Sequence, residues 1–136
     1  MKTWAVFREL TWTQRRTLVL ALMLLPLFGV LLRRTSLARL LSRMDAGGPP
    51  GSGAVATALA AARPVNLVAA RLRATCLTRS LVLQWVLARR GIGTELKVGV
   101  RNEGDGLHAH AWLECGGVPV NDTVHGVHGF ARMDVP

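Results

Sequence analysis

The sequence predicts an α+β fold, in which a central helix packs on a small antiparallel sheet behind an N-terminal helical appendage. Three observations predict it. Leu77, Leu81, Trp85 and Ala88 recur at helical spacing. Residues 94–121 then switch to alternation broken by turn residues. Residues 46–53, Ala-Gly-Gly-Pro-Pro-Gly-Ser-Gly, form a linker by composition and separate an apolar, basic segment (1–45) from residues 54–136.

A chain of 136 residues suggests one domain with an appendage, and 50% hydrophobic residues suffice for a core. Within residues 1–45, positions 18–32 are an uninterrupted apolar run apart from Pro26 and Gly29, flanked by Arg15-Arg16 and Arg33-Arg34. The run is shorter than the roughly 20 residues of a membrane span. Leu37, Leu40, Leu41 and Met44 share one face of a following basic helix. The expectation is two helical pieces joined near Pro26 to Arg34. They either cap the domain or lie at a membrane surface; a true span fits the length least.

The net charge of +9 is uneven. Residues 1–45 carry eight basic groups and two acids, residues 61–101 eight and one, and residues 102–136 one and five. No nucleic acid is expected as a partner, because a chain with no Tyr and three Phe offers no stacking platform. An anionic lipid surface or an acidic peptide suits the basic half better. Two cysteines without metal or disulfide spacing, and no signal peptide with a clear cleavage site, fit the reducing cytoplasm, at most peripheral to the inner face of the membrane.

Residues 54–71 are Ala-rich and helical, with Pro64 expected near a break or start. The next helix opens at Cys76 and closes at Arg89-Arg90-Gly91. Its stripe, thickened by Val82, Leu83, Val86 and Leu87, implies burial on nearly all sides. Residues 94–101 form a half-buried strand, 102–106 a turn, 107–115 a second strand, Gly116-Gly117 a hairpin turn and 118–121 a third strand.

Cys76, His110 and Asp122 then occupy chemically apt positions. The first turn of a helix has unpaired N–H groups and a partial positive charge, which favour a thiolate and can hold an oxyanion. A strand-borne imidazole can take the thiol proton, and a carboxylate on the next strand can fix its tautomer. Taken alone, Cys76 could equally be a small buried residue; the downstream His and Asp favour the nucleophile. A Cys-His-Asp order points to acyl transfer, with peptide-bond cleavage favoured. Strand parity puts His108, His110, Trp112 and Glu114 on one face and Cys115 on the other, so Cys115 reads as structural. His108 competes for the base but falls one pleat further from Asp122. His125 and His128 could be metal ligands, though loop histidines are the simpler reading. Arg79 could add positive field near the thiol or serve only the surface. Trp85 and Trp112 could line a pocket or fill the core.

These residues carry a resemblance. Cys76-Leu77-Thr78-Arg79-Ser80-Leu81, Arg89-Arg90-Gly91-Ile92, His110-Ala111-Trp112-Leu113-Glu114 and the turn leading to Asp122 resemble the transglutaminase-like, papain-related cysteine peptidases. More narrowly, residues of about 61–133 resemble the leader peptidase of lasso peptide biosynthesis. The resemblance implies Cys76 as nucleophile, His110 as base and acid, and Asp122 as the orienting group, with no cofactor. It implies a precursor peptide as substrate, a separate leader-recognition protein, and a cyclase of asparagine-synthetase type acting on the freed core. A transglutaminase or deamidase using the same triad, and a non-catalytic membrane-associated scaffold, are the alternatives.

Overall fold

The computed structural model describes residues 2–44, 47–122, 127 and 129–133. Among these residues the elements are, in order, α1 (Lys2–Glu9), α2 (Trp12–Arg34), α3 (Leu37–Arg43), α4 (Ala54–Leu72), α5 (Cys76–Arg89), β1 (Glu95–Asn102), β2 (Leu107–Cys115), β3 (Val118–Pro119) and β4 (Ala131–Met133). The sheet runs β3-β2-β1-β4 with every neighbouring pair antiparallel. The fold is α+β, as the sequence predicts.

The core lies where α2, α4 and α5 meet one another and the sheet. Small residues at helical spacing in α4, Ala54, Ala58, Ala61, Ala62 and Ala69, are buried and bring the neighbouring helices close. Helix α5 is buried on most sides, through Leu81, Val82, Leu83, Val86 and Leu87. At its C-terminal end Arg90 donates from Nη2 to Thr17 Oγ1 of α2 at 2.6 Å. Burial, and then the neighbouring Arg16, hold the Arg90 guanidinium below its ordinary pKa.

Two prolines behave differently from the expectation. Helix α2 runs unbroken through Pro26 to Arg34, and the break comes at Thr35-Ser36, where Ser36 caps α3 by accepting from Arg39 N. Pro64 lies inside α4 rather than at its edge. A proline removes the donor to the carbonyl four residues earlier. Here that carbonyl, Ala60 O, accepts instead from Gln14 Nε2 of α2 at 2.9 Å.

Only one face of α2 is a cap. Ala21, Leu25 and Phe28 are buried in the core, whereas Val19, Met23 and Leu27 are each more than half exposed. Leu37, Leu40, Leu41 and Met44 of the α3 region pack against the core as partly buried residues. The Gly/Pro stretch does not hang free: Gly93 N donates to Gly48 O at 2.6 Å and Gly48 N to Gly91 O at 3.1 Å.

Gly116 and Gly117 both have positive φ, the conformation a two-residue hairpin turn requires. The third strand is shorter than the sequence predicts, because only Val118 and Pro119 stay in the ladder. Strand β4, which the sequence reading lacks, pairs with β1 at Val98, Gly99 and Val100.

Candidate active site

Helix α5 starts at Cys76 because Thr75 ends the preceding turn. Its side-chain oxygen accepts from Thr78 N at 3.2 Å and lies 2.8 Å from Thr78 Oγ1, an N-cap that satisfies a first-turn donor. The thiol, half-buried, is thereby set at the positive end of a helix.

Strand β2 receives it along an open edge. Among the described residues β3 pairs only with Glu114 and Cys115, and Val120 N adds one backbone bond to Leu113 O; further along, that edge has no strand partner. Side chains fill the gap: Ala111 N donates to Cys76 Sγ at 3.4 Å, and Leu113 N donates to Asn121 Oδ1 at 2.8 Å. The sulfur therefore meets β2 at the residue next to His110. The imidazole hydrogen-bonds through Nε2 to Asp122 Oδ2, both side chains being one-fifth exposed, and Nδ1 is the nitrogen left for another partner. Cys76, His110 and Asp122 are thus brought to one place, although the sulfur's own hydrogen bond is to the Ala111 amide and not to the imidazole.

A buried polar clamp holds this place together. Ser80, one turn after Cys76, donates to Cys76 O at 2.8 Å and accepts from Asn121 Nδ2 at 2.8 Å. Both Ser80 and Asn121 are buried. Asn121 thus joins α5 to β2 while the next residue, Asp122, reaches His110. The Asn121 amide is engaged on both its oxygen and its nitrogen, which leaves the imidazole to Asp122.

The far side of the imidazole is aromatic. Its centroid lies 5.9 Å from the stacked Trp112 ring and 5.4 Å from Phe130. The Arg101 guanidinium lies 4.4 Å from the Phe130 centroid. Gly99, opposite His110 in the ladder, makes this packing fit: a Cβ there would stand 2.7 Å from Phe130 Cβ and 3.1 Å from the Trp112 ring. Trp112 is buried and donates from Nε1 to Glu114 Oε2 at 2.7 Å, so it belongs to the core and supports the imidazole at the same time.

The remaining candidates have other surroundings. His108 is exposed and hydrogen-bonds Asp105 at 3.0 Å. Cys115 is fully buried on the core face, and burial raises its thiol pKa. Trp85 is half-buried, with the Arg89 guanidinium 5.0 Å from its ring centroid. Arg79 is half-buried, and its Nε has no hydrogen-bond partner among the described residues. His125 and His128 lie outside the described residues.

Sequence reasoning misses Ser80, Asn121, Gly99 and Phe130. The Cys76-to-Ser80 spacing of one helical turn is a signal for Ser80. Nothing local marks Phe130, which comes from the segment entering β4.

Chemically, a thiol at a helix start that meets a strand one residue from an imidazole, with a carboxylate on that imidazole, offers the groups that form and break an acyl–sulfur bond. The family model described as the transglutaminase-like superfamily matches residues 18–135, from inside α2 to beyond β4. No curated protein and no solved structure matches the chain.

Proposed function

Since the chain belongs to the transglutaminase-like superfamily, we propose that it is a cysteine peptidase removing the leader from a ribosomally made lasso peptide precursor. The observation that carries this reading is the docking of Cys76 Sγ on Ala111, next to an imidazole paired with Asp122. The ordered motifs from Cys76 to Asp122 support the narrower assignment.

In the proposed reaction His110 Nδ1 takes the thiol proton as sulfur attacks the scissile carbonyl. Asp122 keeps the other proton on Nε2 and stabilises the imidazolium. First-turn N–H groups of α5 hold the oxyanion. Collapse of the tetrahedral intermediate breaks the C–N bond, and His110 returns the proton to the leaving amine. Water, deprotonated by His110, then hydrolyses the thioester; the leader leaves as an acid and Cys76 regains its proton.

The partners in this reading are the precursor peptide, a separate leader-recognition protein and an asparagine-synthetase-like cyclase that uses the freed amine. The basic N-terminal segment, with apolar residues exposed on α2, supports a place in the cytoplasm at the inner surface of the membrane.

Hydroxylamine tests the chemistry. Added to precursor, recognition protein and this chain, it should divert the thioester, giving leader hydroxamate in place of leader acid by mass spectrometry. Leader acid alone at every hydroxylamine concentration would argue against an acyl-enzyme. Conversion of a glutamine side chain to its hydroxamate, with the backbone intact, would move the reaction to deamidation or transamidation.

A further inference from the structure

A cavity of about 560 Å3 opens beside the candidate nucleophile. All of its lining comes from α2 or from the stretch between the end of α4 and the first turn of α5. No residue of the sheet contributes. Leu25 is buried beneath it, and Leu72 and Leu77 line it. Gly29 keeps it wide, since a Cβ at that position would meet nothing within 4 Å. Two exposed cations, Arg33 and Arg73, complete the lining. Among the described residues neither has an ion-pair partner.

Arg73 is unusual in its backbone. It is the C-cap of α4 and the one non-glycine residue with positive φ among those described, at φ 53° and ψ 41°. That cap position ordinarily takes glycine. An arginine there accepts a disfavoured backbone to hold a cation next to Thr75 and Cys76.

The chemistry gives the cavity a direction. The imidazole that protonates the leaving amine is on the β2 side of Cys76, so the leaving side of the substrate lies over β2. The acyl side must then extend the opposite way, toward α2. We propose that this cavity binds the last residues of the leader, taking a large apolar side chain beside an acidic one. The apolar lining selects the first and the two arginines the second. The proposal rests on the peptidase reading for its direction, and it makes α2 part of the substrate site. It also gives a use to Gly29, which interrupts an otherwise apolar run.

The test uses the full chain carrying Cys76→Ala, which binds without turnover, and fluorescein-labelled peptides read by anisotropy. Ala-Glu-Leu-Gly should bind about tenfold more tightly than Ala-Lys-Leu-Gly or Ala-Glu-Ala-Gly, the scale a single side chain commands in such a pocket. Gly29→Leu, which adds a side chain in open space and favours the helix, should weaken Ala-Glu-Leu-Gly about tenfold. Arg33→Glu should reverse the preference between Glu and Lys peptides. Unfolding curves confirm that each variant is folded. The same affinity for all three peptides, indifference to both substitutions, or no binding at millimolar peptide would overturn the proposal. Wild-type cleavage of precursor is scored separately. Cleavage without this binding pattern removes the cavity assignment and leaves the peptidase; the pattern without cleavage removes the peptidase and leaves a peptide site.

Discussion

His110 is held by two different kinds of force. Asp122 fixes one ring nitrogen by a charge-assisted hydrogen bond, and Trp112 and Phe130 fix the plane of the ring by packing. The proposed roles separate these. Asp122→Asn keeps the shape but no longer enforces the tautomer, so kcat should fall by about a hundred- to ten-thousandfold with little change in folding stability. A loss below tenfold in a steady-state assay would remove Asp122 from the mechanism. The two thiols should part as well. Cys115 is buried with a raised pKa, so iodoacetamide should modify it only after unfolding. The unfolded thiol ionises first as pH rises, so stability should fall above the ordinary thiol pKa of about 8.5. In denaturant titrations that fall should be smaller in Cys115→Ala; an equal fall would show that the thiol does not contribute. Alternation alone places His110 and Trp112 on one face of the strand and Cys115 on the other, because successive side chains of a pleat point to opposite faces. Phe130 was not legible, since its partners Gly99 and Trp112 are distant in sequence.

Two elements, α5 and β2, meet through Ser80 and Asn121, and the nucleophile stands at that junction. Asn121→Ala removes the buried acceptor of Leu113 N and the donor to Ser80 Oγ, and should cost about 1–3 kcal/mol. Turnover should fall too, because the α5 start and β2 lose their common tie. A variant as stable as wild type by chemical denaturation would show that water replaces the amide. Helix α2 contributes to the core through Phe28, so Phe28→Ala should cost about 3–5 kcal/mol; a loss below about 1 kcal/mol would place α2 outside the folding unit. The extent of α5 was legible from its stripe and its Arg-Arg-Gly end. The path of α2 and α4 through their prolines was not. Pro64 is tolerated because Gln14, 46 residues before Ala60, supplies the missing donor to the Ala60 carbonyl, a relation no local pattern contains.

At the scale of the whole chain, charge and apolar exposure fall together at the N-terminal end. Trp12, Val19, Met23, Leu27 and Val30 are exposed along α2, and residues 1–45 carry eight basic groups against two acids. If this face meets the inner membrane surface, the protein should sediment with vesicles containing anionic lipid, and salt should release it. Equal sedimentation with neutral vesicles would make the contact apolar only; no sedimentation with either would leave the face to a protein partner. Length and composition leave the N-terminal run open, because a core helix and a surface helix share the same sequence signature. The structure divides that run between the two, with one face in the core and one outside.

Cys76 is the residue on which the proposed reaction depends. The direct measurement is mass spectrometry of precursor peptide incubated with its recognition protein and either the wild-type chain, Cys76→Ala or Cys115→Ala. One cut at the leader–core junction is expected with wild type and with Cys115→Ala, and none with a folded Cys76→Ala. Cleavage that survives Cys76→Ala, or is lost only with Cys115→Ala, would contradict the proposed reaction.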